Sequence, residues 1–231
     1  MGTVILLRHS RSTANTAGVL AGRTAGVGLD EQGQAQAQTL VERLALLPLA
    51  AVVSSPLQRC QETVAPLVRA RELAVTIDDR FVEMDYGEWT GRELRTLSKE
   101  PLWKVVQTHP SAAVFPGGEA LAAMQARAVA ALREWDGNLA AEHGSQVLWL
   151  VCTHGDIIKA VLADALGMHL DGFQRIVAEP CSISAVTYTE TRPFVQRIND
   201  CRDDLRSLVP PKRRRRRLLS DATPGGSTGT S

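Results

Sequence analysis

The run Thr3-Val4-Ile5-Leu6-Leu7, followed at once by Arg8-His9-Ser10-Arg11-Ser12-Thr13-Ala14-Asn15, decides the fold. Five residues, apolar after Thr3 and led by the β-branched Thr3, Val4 and Ile5, end abruptly in a polar stretch. That pattern predicts a strand buried on both faces, with chemistry at its C-terminal end. The pattern returns along the chain. Residues 50–53 form a second apolar run, closed by Ser54-Ser55-Pro56. Residues 73–77 form a third and residues 146–152 a fourth, which Thr153-His154-Gly155-Asp156 terminates. Residues 182–188 alternate as a further strand, and residues 194–198 read as the last.

Helical patterns fill the intervals. Asp30 is placed to cap a helix through Ala35, Leu40, Val41, Leu44 and Leu47, stopped by Pro48. Pro56 suits the first turn of a helix that carries Arg59 towards Ala70. Pro116-Gly117-Gly118-Glu119 introduces an Ala-rich helix over about residues 120–141, and another runs from His154 to about Leu166. Residues 92–115 are weakly patterned, interrupted by Pro101 and Pro110. Strands alternating with helices predict an α/β fold, a three-layer α/β/α sandwich on a mostly parallel sheet. Ligands of such sheets bind outside the C-terminal strand ends. Arg8, His9, Arg59 and His154 should therefore meet in space.

Composition bounds the rest. A chain of 231 residues, 44% apolar, has enough material for one α/β domain with a sizeable core. Aromatics are only 4%, which argues against a surface devoted to stacking single-stranded nucleic acid. No apolar run reaches the roughly 20 residues that span a bilayer. Residues 4–7 are too short for a signal-peptide core, and position 6 lacks the Ser or Thr of a myristoylation signal. Cys60, Cys152, Cys181 and Cys201 are widely spaced, with no C-x-x-C pair, and read as reduced thiols of a cytoplasmic protein. Arginine outnumbers lysine 22 to 4, which points to a GC-rich bacterial genome.

From Pro210 onward the chain holds six basic residues and one acid, so residues 1–209 carry a net −4 against +5 in the tail. We read residues 1–209 as the catalytic domain and residues 210–231, basic and then Ser/Gly/Thr-rich, as a disordered tail. The domain shows no basic footprint for nucleic acid.

Two histidines and two arginines at one mouth point to phosphate chemistry. The arginine fork grips phosphoryl oxygens bidentately, and a helix opening after His154 adds backbone donors. A neutral imidazole is a competent nucleophile towards phosphorus, and neighbouring cations disfavour its protonation. Phosphoryl transfer through a phosphohistidine follows, with arginines supplying the charge that a metal supplies elsewhere and no cofactor required.

Four segments carry a resemblance. Leu7-Arg8-His9-Ser10 with Ser12, Thr13 and Asn15 resembles the L-R-H-G motif of the histidine phosphatase superfamily, the phosphoglycerate-mutase-like fold. Residues 54–63, Ser-Ser-Pro-Leu-Gln-Arg-Cys-Gln-Glu-Thr, and Thr153-His154-Gly155 are similar to two further motifs, and residues 83–91 to its E-x-x-x-G-x-W-x-G segment. The resemblance spans residues 3–199 and is nearest to small actinobacterial phosphatases. It implies that His9 is the phosphorylated nucleophile, and that Arg8, Arg59 and His154 hold the phosphoryl oxygens, with Gly155 at the helix start. It implies further that Asn15 adds a hydrogen bond, and that Glu83 protonates the leaving oxygen and then activates water. Glu83 is chosen over Asp85 and Glu88 because it stands four residues before Gly87, as in the family segment. His154 and Asp156 have no third ligand in sequence, so no metal site is assigned.

Two departures stand out. Ser10 replaces the usual glycine, which is a penalty if that backbone needs φ > 0 or close approach. Arg11 stands where an acid or Gln is commoner. It either charges the mouth or faces solvent.

The expected function is metal-independent hydrolysis of phosphate monoesters, with a small phosphorylated metabolite as substrate. Phosphomutase activity is the alternative. Glu83-Met84-Asp85-Tyr86-Gly87 lacks the arginine of the mutases' E-R-x-Y-G segment, which favours hydrolysis. A different class is an idle site on a module tethered to nucleic acid or acidic lipid by Arg213–Arg217; the solvated-tail reading is preferred. Trp103, Phe115 and Glu119 are candidate substrate contacts. Family members are often dimers, so a homodimer is left open.

Overall fold

The computed structural model describes residues 2–202 together with Pro224 and Gly225. Six strands make one sheet: β1 (Thr3–Arg8), β2 (Leu49–Ser54), β3 (Val75–Ile77), β4 (Leu148–Thr153), β5 (Ile183–Thr187) and β6 (Phe194–Asp200). Their spatial order is β3-β2-β4-β1-β5-β6. β4 runs parallel to both β1 and β2, and β3 parallel to β2, whereas β5 is antiparallel to its neighbours β1 and β6. The sheet is thus mostly parallel, as expected, with one reversed strand.

Period-two alternation sorts the strands' side chains into two cores. Val4, Leu6, Trp149 and Val151 face one layer, and Ile5, Leu7, Leu150 and Cys152 the other. α6 (Leu121–His143) and α7 (Gly155–Ala165) cover the first face through residues such as Leu132 and Ile158. α2 (Glu31–Arg43) and α3 (Gln58–Arg71) cover the second through Leu40, Val64 and Leu67. This is a three-layer sandwich.

Asp30 caps α2 as expected, its Oδ1 accepting from Gly33 N at 2.7 Å. The helix ends at Arg43 rather than Leu47, because residues 44–47 turn before Pro48. Pro56 lies two residues before α3, whose N-cap is Leu57. The weakly patterned region holds α4 (Leu94–Leu97), α5 (Pro101–Thr108) and a 3₁₀ turn at Pro110–Ala112, so each proline starts an element. A short α1 (Thr13–Ala17) follows β1.

No disulfide joins the four cysteines. Among the described residues no helix is long and apolar enough to cross a membrane. The tail expected over residues 210–231 lies outside the described residues, apart from Pro224 and Gly225.

Candidate active site

The sheet's centre builds the site. β4 lies between β1 and β2, and their registers end level, with Arg8 opposite Thr153 and Ser54 opposite Cys152. The chain leaves each strand in the same direction. His9 N donates to Thr153 O at 2.9 Å and Ser55 N to Cys152 O at 2.9 Å. Arg8, His9, Ser55 and His154 thus share one rim. α3 lifts Arg59 onto it from its first turn. All five are buried.

His9 Nδ1 lies 2.8 Å from the carbonyl of Ser10. A carbonyl only accepts, so Nδ1 carries the hydrogen and Nε2 carries the lone pair. Burial first, then Arg59 and Arg8, push the imidazole well below its ordinary pKa. The ring is a neutral nucleophile at pH 7. The expected effect of the arginines is present, but burial outweighs it.

His154 packs at 5.2 Å, ring centre to ring centre, from His9. Arg59 Nη2 donates to its Nδ1 at 3.2 Å, so Nε2 carries the hydrogen and donates to Ser55 Oγ at 2.7 Å. Its pKa is likewise held well below the ordinary value, by burial and then Arg59. His154 is also the N-cap of α7, which begins at Gly155. The first backbone N–H groups of that helix therefore open beside the ring without helical partners.

Each arginine is anchored through its terminal nitrogens. Arg8 Nη1 donates to Ala178 O at 2.6 Å, and Arg59 Nη2 also donates to Gly22 O at 2.8 Å. Arg8 Nε and Arg59 Nη1 are buried with no hydrogen-bond partner among the described residues. Orphaned buried guanidinium donors are costly, and an oxyanion satisfies both.

Glu83 enters from the loop after β3 and is 3% exposed. Its Oε1 accepts from Met84 N at 2.9 Å, and Oε2 lies 3.9 Å from His154 Nδ1. Burial, reinforced by the Asp156 charge, raises its pKa to about 7 against the opposing pull of Arg59 and Arg8. Asp85 is turned away, on Gly87 N and Arg23, and Glu88 is exposed. Glu83 is the carboxylate that lines the pocket together with His9, Arg59 and Tyr86.

Asn15 also lines that pocket. Its Oδ1 accepts from both Ser12 N and Ser12 Oγ in a capping box, which leaves Nδ2 as the donating end. Ser10 has no left-handed backbone, and its N–H donates to Thr63 Oγ1 at 2.9 Å, so the missing glycine is tolerated without strain. Arg11 pairs with the helix cap Asp30 at 2.6 Å, and its charge is spent there. Phe115 packs edge-on against Tyr86 and Trp89, and Trp103 stacks on Trp89; neither lines the pocket. Glu119 accepts from Arg23, Arg127 and Asp85 N.

Several residues that matter escaped the sequence reading. Arg23 and Arg127 both donate to the backbone carbonyl of Glu83, at 2.9 and 3.2 Å, and so hold that loop residue in place. Ser55 Oγ accepts from His154 Nε2 at 2.7 Å and steadies the ring. Asp156, 1% exposed, accepts from Tyr86 Oη at 2.7 Å and Lys159 Nζ at 3.1 Å. Apart from Asp156–Lys159, which stand i,i+3 in α7, no sequence spacing signals these pairings, because each joins elements distant in the chain.

The profile of the histidine phosphatase superfamily (branch 1) matches residues 4–201. The chain belongs to the histidine phosphatase superfamily. It is 30% identical over 202 residues to phosphoserine phosphatase 1 of Hydrogenobacter thermophilus, covering 86% of this chain and 92% of that protein. It is also 30% identical over 188 residues to a probable phosphoglycerate mutase GpmB of Proteus mirabilis, covering 80% and 84%. Among solved structures, Bacillus stearothermophilus YhfR shares the fold with a TM-score of 0.78 at 23% identity, over 87% of this chain and 98% of that one.

Proposed function

We propose that the chain hydrolyses phosphate monoesters through phospho-His9. The observation that carries this reading is the state of His9. It is neutral, its lone pair is fixed on Nε2 by the Ser10 carbonyl, and it sits beside two arginines whose inner donors lack partners. Nε2 attacks phosphorus, and the bond to the leaving oxygen breaks. Glu83, protonated in a large fraction at neutral pH, gives that oxygen its proton. Water then attacks the phosphorus of phospho-His9 and returns a proton to Glu83, and the P–N bond breaks. Arg8, Arg59, Asn15 and the start of α7 hold the equatorial oxygens throughout.

Small phosphorylated metabolites, phosphoserine among them, are the substrate class, as the phosphatase-named relative suggests. The mutase-named relatives keep a second activity in view. Against it, the position that holds arginine in the mutases' segment is Met84, fully buried in an apolar core, so no cation reaches the pocket from there. A cytoplasmic, bacterial setting fits this reading.

The test is phosphate release from an aryl phosphate between about pH 5 and 7 with chelator present, comparing wild type with His9→Ala. Turnover lost in the variant, with acid-labile phosphate trapped on the wild-type protein, is the expected result. Turnover that survives His9→Ala removes the phosphohistidine route. A phosphoglycerate mutase assay on the same samples separates the two activities.

A further inference from the structure

Pro224 and Gly225, far beyond the last strand, lie in the pocket itself. Pro224 is buried and Gly225 half-buried. The Gly225 carbonyl accepts from Arg8 Nη2 at 2.9 Å, and its N–H donates to Asp156 Oδ2 at 2.9 Å. The backbone of one residue thus joins the two opposite charges of the wall. Gly225 has φ +80°, a conformation side-chain-bearing residues rarely adopt, and Leu20 and Tyr86 stand within 4 Å of where a Cβ would lie.

This contact competes with substrate by geometry. Arg8 Nη1 is committed to Ala178 O and Nη2 to Gly225 O, so with the segment in place the unpartnered Nε is the donor left to an oxyanion. With the two tail residues in place, the space left for the centre of a water-sized sphere is about 20 Å³. That is room for one or two waters, not for a phosphate ester with its tetrahedral oxygens.

We propose that the Pro224–Gly225 segment is an intramolecular ligand of the active-site mouth, bound through Arg8 and Asp156, which a phosphorylated substrate must displace. This rests on the phosphate reading of the pocket. The segment is joined to the domain through residues 203–223. A tether of that kind holds a ligand at an effective concentration on the order of millimolar, so even a weak contact lowers apparent affinity several-fold.

The experiment is Gly225→Pro in the full chain. Proline removes the N–H that meets Asp156 and locks φ near −65°, away from +80°. Gly225→Val keeps the N–H but disfavours the same φ, and provides a second variant. Inorganic phosphate affinity is read by calorimetry, and KM and kcat with an aryl phosphate. Both variants are expected to bind phosphate about 3- to 10-fold more tightly than wild type, with KM lowered and kcat little changed. A synthetic peptide of residues 220–231 should compete with phosphate for the Gly225→Pro protein. Equal phosphate affinity in wild type and variants overturns this proposal alone. No phosphate binding by any of them overturns the phosphate reading of the pocket and this proposal with it.

Discussion

Burial moves His9 and Glu83 in opposite directions, because it penalises the charged form of each. His9 stays neutral down to acid pH, while Glu83 stays protonated up to about pH 7. With an alkyl phosphate, kcat/KM should therefore fall as pH rises through about 7, where the general acid loses its proton. In Glu83→Gln that limb should vanish, and alkyl phosphates should lose far more rate than aryl phosphates, whose leaving groups need little protonation. Equal losses on both substrates remove Glu83 as the acid. The same shift has a stability consequence. A carboxyl whose folded pKa is raised contributes stability that is present below its unfolded value, about 4.5, and lost as pH rises to about 7. Glu83→Gln should therefore gain in denaturation midpoint relative to wild type between pH 4.5 and 7, measured by urea titration at both ends. Arg8, His9, Arg59, His154 and Glu83 were legible in sequence because each belongs to a local motif at a strand or loop end. Asp156 was legible only as a rejected metal ligand. Its pair with Lys159 follows the i,i+3 spacing of α7, but its contact with Tyr86 depends on how the 83–91 loop folds over that helix, which no spacing encodes.

The loop that carries Glu83 is held by backbone contact with the stretch 115–119. Glu88 N donates to Pro116 O at 2.9 Å, and Glu119 N to Asp85 O at 3.0 Å. Gly87 is the point of closest approach, with φ +51° and Pro116 O only 2.0 Å from where a Cβ would stand. Gly91, in the same loop, has φ +80° and nothing within 4 Å of that position. The pair separates strain from collision. Gly91→Ala should cost about 1 kcal/mol, the left-handed penalty alone. Gly87→Ala adds a backbone clash and should cost roughly 2 kcal/mol or more, lowering Tm by about 4–8 °C or more, with kcat falling as Glu83 is displaced. Similar Tm losses in the two variants, read by calorimetry, would mean the clash is relieved by a shift of the 115–119 stretch. The E-x-x-x-G-x-W-x-G spacing identified this loop from sequence. Its partner stretch was read as the start of the next helix and as the source of substrate contacts at Phe115 and Glu119, not as the loop's support, because pairing between two irregular segments leaves no periodicity.

Four apolar runs and an alternating one announced the sheet and its layers, since a run of four to six aliphatic residues ending in polar ones has few other homes. Strand order and the reversal of β5 were not legible. Periodicity reports which face a residue takes, not which strand lies beside it. That order is what matters for the site, because β4 between β1 and β2 brings three loops to one rim. The pocket's ligand groups thus come from β1, α3, the loop after β3, and α7, so a bound oxyanion ties distant parts of the chain together. It also satisfies Arg8 Nε and Arg59 Nη1, which the protein alone leaves buried and unpartnered among the described residues. An anion that binds the folded state only stabilises the whole molecule by RT ln(1 + [L]/Kd), about 2.7 kcal/mol at 100 times Kd. For a chain of this size that is a rise in Tm of roughly 5–11 °C. Inorganic phosphate or vanadate should produce it in a thermal scan, and sulfate at equal ionic strength much less of it if the fit is specific. Arg59→Met keeps the volume and removes the charge, so the phosphate-dependent rise should shrink to near zero in that variant. A full rise in Arg59→Met would place the bound anion away from Arg59 and separate it from the pocket lined by His9, Glu83 and Tyr86.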